Sequence, residues 1–266
     1  MVGFLKNGDK FSFDPSGLPN YSFRMVSLKS APSENRPRDK FASRFDYVPP
    51  LENGDRLSAT EFLRRYDAMP EQKKAELIQG IVYMASPVYA EQHGDPDSFA
   101  QGWLFNYAAQ TRGVKSSTNT TIRLGPDDTP QPDACLRILP EFGGRCRIEG
   151  QILSAAPELI FEVAASSASI DSNAKKTSYL RAGVQEYVLW RTLDGEIDWW
   201  KLEEDEFRLI ESDEDGILRS EAFPGLWLDR EAMLDEDAAK VLAVLNQGLA
   251  NEAHEAFVVK LAANAS

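Results

Sequence analysis

Apolar positions recur every three or four residues in some segments and every second residue in others, and this switching predicts alternating helices and strands. Ser58 or Thr60 can cap a helix carrying Phe62, Leu63 and Tyr66 on one face. Residues 75–78 and 81–84 flank Gln79-Gly80 and predict a hairpin, with Glu76 on its first strand. Phe99, Trp103, Leu104, Tyr107 and Ala108 stand at helical spacing over 97–112, and Gly113 is a natural stop. Strand-like runs follow at 115–124, 131–138 and 157–164, separated by Gly, Pro and Asp. A helix over 172–182 ends at Gly183, and a strand resumes over 186–190, which makes a strand, helix, strand unit. Runs at 196–202 and 206–211 alternate, with acidic residues between them, and predict an antiparallel extension. The last segment, 230–266, reads as helical, with Leu242, Leu245 and Leu249 on one face. The sum is one α/β domain with tails.

Composition narrows the class. The chain has 266 residues, of which 42% are hydrophobic, which is ample for a core. No apolar run approaches the roughly 20 residues that span a bilayer, and the N-terminus lacks a leader pattern, so the expected location is cytoplasmic with no membrane partner. Residues 1–50 show no hydrophobic period and carry eight Lys or Arg against five acids, so they read as a disordered basic extension. Cys135 and Cys146 match no zinc spacing and are expected to be reduced. His93 and His254 are the only histidines, so carboxylates must carry most of any chemistry. The formal charge of −13 opposes avid nonspecific binding of nucleic acid, although clustered acids also lower the charge while recruiting divalent cations.

One carboxylate breaks the pattern. Glu162 lies inside the apolar run Leu159-Ile160-Phe161-Glu162-Val163-Ala164, where an ionised group needs a cation or several donors. Asp133, at the start of the preceding long strand, is an acid that could lie on a neighbouring strand and share an ion with it. Asp171, Lys175 and Tyr179 then fall at i, i+4 and i+8 and form one helical stripe, so Lys175 can reach back over the strand ends. Lys176 is turned about 100° away and is expected to face solvent. Asp171 is expected to cap that helix, and Tyr179 to pack beneath it with its hydroxyl near the site. Two acids and a lysine suit metal-assisted phosphodiester hydrolysis: carboxylates hold Mg²⁺ or Mn²⁺ and the ammonium orients water or neutralises charge.

Glu76-Leu77-Ile78-Gln79-Gly80, Gln131-Pro132-Asp133, Pro157-Glu158-Leu159-Ile160-Phe161-Glu162-Val163, Asp171 with Lys175 and Tyr179, Gly183-Val184-Gln185-Glu186-Tyr187 and Phe223-Pro224-Gly225-Leu226-Trp227-Leu228 stand in an order and spacing that resembles the Uma-two restriction-endonuclease family, within the PD-(D/E)XK nuclease superfamily. The resemblance covers roughly residues 55–265. It implies a restriction-endonuclease-like mixed central sheet flanked by helices over 51–229, with the C-terminal helical segment packed on it. It also implies a metal-dependent endonuclease acting on DNA, with Asp133 and Glu162 as metal ligands and Lys175 as the catalytic lysine. The superfamily's usual lysine stands two residues after the second acid, where this chain has Ala164; its relocation to the next helix is similar to what the family shows.

Accessory roles stay open at the level of sequence. Glu76 either joins the metal ligands or sits on an edge strand. His93 either approaches the site or caps the helix it precedes. The tryptophans at 190, 199, 200 and 227 read as packing, since little basic interleaving accompanies them. Paired cleavage of a duplex predicts a homodimer. Two rivals are a non-catalytic binding or regulatory protein that keeps the nuclease fold and a hydrolase of another phosphate ester.

Overall fold

The computed structural model describes residues 47–71, 74–85, 89–165 and 170–265. Most of the predicted basic extension, residues 1–46, lies outside the described residues. Ser58 Oγ accepts from the Glu61 N–H at 3.3 Å and starts helix α1 (Ala59–Asp67). Strands β1 (Ala75–Ile78) and β2 (Ile81–Met84) form the expected hairpin, its turn built on Gln79 (φ 52) and Gly80 (φ 74). A π-helical turn (Ala90–Gly94) leads into α2 (Asp95–Gln110), which buries Ala100, Trp103, Leu104 and Tyr107.

Next come β3 (Val114–Thr118), β4 (Ile122–Arg123), β5 (Ala134–Ile138), β6 (Arg147–Glu149), β7 (Ile152–Ser154) and β8 (Leu159–Ala164). A second π-helical turn (Asp171–Lys175) runs into α3 (Lys176–Ala182), which stops at Gly183 in the left-handed conformation. The chain continues as β9 (Glu186–Arg191), β10 (Glu196–Glu203), β11 (Glu206–Leu209), β12 (Ile217–Arg219) and β13 (Trp227–Asp229). Helices α4 (Arg230–Leu234), α5 (Ala238–Leu249) and α6 (Glu252–Asn264) finish it. No described helix is long and apolar enough to cross a membrane.

Six strands make the central mixed sheet in the order β11-β10-β9-β8-β5-β3. Strands β8 and β9 run parallel through the α3 crossover, and the other neighbouring pairs are antiparallel. Residue alternation along β8 divides the core. Phe161 and Val163 face α2 and the C-terminal helices, joining Trp103, Trp199, Val241, Leu245, Phe257 and Leu261. Ile160 and Ala164 face the other way, toward Cys135, Tyr179, Tyr187 and Leu189. Glu162 belongs by alternation to this second face, so α3 covers it.

Three expectations are corrected in detail. The run 115–124 is two strands, because Asn119 adopts a positive φ (47) that ends β3 and sends β4 into a separate sheet with β7 and β6. The C-terminal segment is three helices; Glu236 at φ 55 breaks it once, and Asn251, whose side chain accepts from the Ala253 N–H, caps the last. Asp171 is not a cap: Ile170 before it is already helical (φ −73, ψ −46), so Asp171 lies inside the helix. Trp190 and Trp199 are buried as expected, whereas Trp200 and Trp227 carry Lys176 and Arg219 over their rings at 3.6 and 3.8 Å. Cys135 and Cys146 are free and buried, and burial pushes their thiols up to about 12 and about 11, so both stay protonated.

Glu186 shows how a buried acid is held without a cation. Its carboxylate accepts from the Glu221 and Ala222 N–H groups (2.7 and 2.8 Å), Ser220 Oγ (2.7 Å) and Trp199 Nε1 (3.1 Å), which ties β9 and β10 to the loop before β13. Glu186→Ala orphans these donors and is expected to cost about 3 kcal/mol, read as a lower urea midpoint at unchanged slope.

Candidate active site

The register of β5 against β8 pairs Ala134 with Phe161, which brings Asp133 beside Glu162. The Val163 N–H donates to Asp133 Oδ2 at 2.9 Å, so the backbone of one acid's strand fixes the other acid. Both carboxylates are buried, at 1% and 2% exposure. Lys175 enters from the π-helical turn and places Nζ 2.9 Å from Glu162 Oε1, 3.0 Å from Glu76 Oε1 and 3.2 Å from Asp171 Oδ1. Tyr179 donates its hydroxyl to the same Glu162 oxygen at 2.5 Å. Glu76 is held in turn by the Gln131 N–H at 2.7 Å, next to Pro132, whose ring nitrogen has no proton to give.

Asp133, Glu162, Lys175, Glu76, Tyr179 and His93 therefore come together. His93 stands on the first π-helical turn with Nε2 3.6 Å from Asp133 Oδ1. Lys176 points away from the site onto Trp200. Three participants had not been singled out for this role. Lys74 Nζ lies 3.0 Å from Asp133 Oδ1; its position two residues before Glu76 is the signal that puts it on the same side of the chain. Asp171 is an ion-pair partner of Lys175. Asp97, four residues after His93, shares its helical face. Both π-helical turns, which carry His93, Asp171 and Lys175, have no signature in the hydrophobic pattern.

The electrostatics separate the two central acids. Burial is the strongest influence on Asp133 and acts to raise it, but His93 and Lys74 outweigh it and hold the carboxyl well below its usual range. Glu162 is pushed up to about 8, chiefly by burial, with Asp133, Asp171 and Glu76 adding to the rise and Lys175 opposing it. Burial alone would lower Lys175, yet Glu162, Glu76 and Asp171 hold it well above its ordinary value, and Asp133 beside His93 raises that imidazole. Glu76, Asp133, Glu162 and Asp171 gather four carboxyl groups around Lys74 and Lys175, and a divalent cation would take the place of the proton that burial keeps on Glu162; carboxylate oxygens are the donors a hard cation prefers.

A pH dependence follows for the metal-free protein. With its folded pKa above the unfolded 4.5, the protonated Glu162 contributes stability that is complete below 4.5 and lost as pH rises through about 8. In EDTA, the stability of the wild type relative to Glu162→Gln should fall between about pH 5 and pH 9. Parallel melting curves across that range would show that Glu162 does not titrate there.

The family model Uma2, described as "Putative restriction endonuclease", matches residues 59–231, a span that contains the whole central sheet and every residue of the site. No curated protein matches the chain. Among solved structures, the chain is similar to a putative nuclease belonging to DUF820 from Anabaena variabilis ATCC 29413, at 16% identity and a TM-score of 0.49, over 65% of this chain and 97% of that one.

Proposed function

The chain belongs to the Uma2 family, and from that premise we propose that it is a divalent-metal-dependent endonuclease that hydrolyses DNA phosphodiester bonds through Asp133, Glu162 and Lys175. The observation that carries this reading is the pairing of two buried acids across β5 and β8 with a buried lysine bonded to one of them. Asp133 and Glu162, with Glu76 beside them, would hold Mg²⁺ or Mn²⁺. When bound, such a cation neutralises charge at the phosphate and acidifies water.

The remaining work falls to the chain's own groups. The Val163 N–H and Lys74 fix the two Asp133 oxygens, and the Tyr179 hydroxyl fixes one oxygen of Glu162. Lys175 has three N–H donors and three acidic partners, so it assembles the carboxylates in the resting site. With a cation on Glu162, the Lys175 N–H that now meets Oε1 would be free to orient the attacking water and to offset charge that develops on the phosphate. Duplex cleavage on both strands would call for two copies of the chain.

Supercoiled plasmid should be nicked in Mg²⁺ or Mn²⁺ and left intact in EDTA, and at fixed low salt DNA should be cut faster than RNA or small phosphate esters. Equal rates on a small phosphodiester would move the substrate assignment to other phosphate esters. The charge of −13 favours a non-catalytic protein that keeps the fold, and correctly folded protein that cuts neither DNA, RNA nor small phosphate esters with either metal would support that reading instead.

A further inference from the structure

The geometry points to a second divalent-cation seat, formed by His93, Asp97 and Asp133, that selects metals with an affinity for imidazole. One candidate ligand atom from each residue lies within 4.8 Å of the other two. His93 and Asp97 are four residues apart where the π-helical turn runs into α2, so one helical face presents both. Asp133 reaches them from the start of β5, sharing itself between this seat and Glu162.

An independent feature marks the place. Asp97 Oδ1 is fully buried and accepts no hydrogen bond, one of three such side-chain atoms among the described residues. Burial disfavours the ionised Asp97 carboxylate and Asp133 adds to that, while Gln101, His93 and Lys74 offset part of it; Oδ1 itself is left open to a cation. The 3.6 Å between His93 Nε2 and Asp133 Oδ1 is too long for a good hydrogen bond. Lys74, 3.0 Å from the same Asp133 oxygen, is the competitor a cation would have to displace or share with. One imidazole nitrogen with two carboxylates suits Mn²⁺, Co²⁺ or Zn²⁺, whereas Mg²⁺ prefers oxygen alone.

The seat shares Asp133 with the proposed nuclease site and depends on that reading only for any effect on cleavage; cation binding is tested without DNA. Full-length protein titrated with Mn²⁺ and followed by electron paramagnetic resonance should show a bound ion whose spin-echo modulation reports a ¹⁴N ligand. His93→Asn should remove the nitrogen signal, Asp97→Asn should weaken that ion about tenfold or more, and Glu162→Gln should keep it. Wild-type protein with no nitrogen-coupled Mn²⁺ overturns the seat, and this readout needs no variant to fold. Unchanged Mn²⁺ affinity in folded Asp97→Asn overturns it as well. Metal-dependent nicking together with either result leaves the nuclease reading standing, while a nitrogen-coupled ion in protein that never cuts DNA leaves the seat standing alone.

Discussion

Lys175→Met is expected to destabilise the metal-free protein by about 3–5 kcal/mol, because it strands a buried acid cluster without its cation. Lys175 is 4% exposed and bridges Glu162, Glu76 and Asp171 within 3.2 Å, and methionine fills the volume while supplying no charge and no donor. For a domain of this size the melting temperature should drop by about 10 °C. Two accompanying effects separate lost charge from lost packing. Added Mn²⁺ should recover part of the stability, and mild acid should too, since protons can neutralise Glu162 in place of the ammonium. Nicking should fall about a thousandfold even where the variant is folded. A variant that melts within about 1 kcal/mol of wild type, by urea denaturation in EDTA, would show that the three contacts are not an ion-pair cluster in solution.

Glu162→Gln is the second large effect, with plasmid nicking expected to fall at least about a thousandfold while the fold survives. The side chain is nearly isosteric, and its carbonyl oxygen can still accept from Tyr179 and Lys175, so packing between β8 and α3 is kept. What is lost is the negative charge that a divalent cation needs beside Asp133. Nicking within tenfold of wild type, measured on protein with an unchanged melt, would remove Glu162 from the chemistry.

How far the sequence could reveal this site depends on the range of each interaction. Glu162 was visible because burial of the run around it is a local pattern, and Asp133 because a Pro-Asp step opens a strand. Lys175 rather than Lys176 followed from helical spacing, and the observed directions of the two side chains agree with it. The β1–β2 hairpin and the α3 stop were likewise carried by local turn chemistry. Lys74 and Asp97 meet Asp133 only through tertiary placement, although each stands at a telling interval from a residue already suspected. The short strands β4, β6, β7, β12 and β13 have two or three residues each, too few to show a period. Glu186 lacks a local signal for a different reason: it opens a strand like any surface glutamate, and three of its four donors come from a loop more than thirty residues later.

A crystal soaked in Mn²⁺ and measured at the manganese absorption edge tests the central claim most directly. The account predicts an anomalous peak within about 2.2 Å of an oxygen from Asp133 and an oxygen from Glu162, with Lys175 turned from Glu162 to make room. Strong density bound by His93 and Asp97 with nothing at Glu162, or no density at all in crystals whose protein nicks plasmid in the same Mn²⁺ buffer, would contradict it.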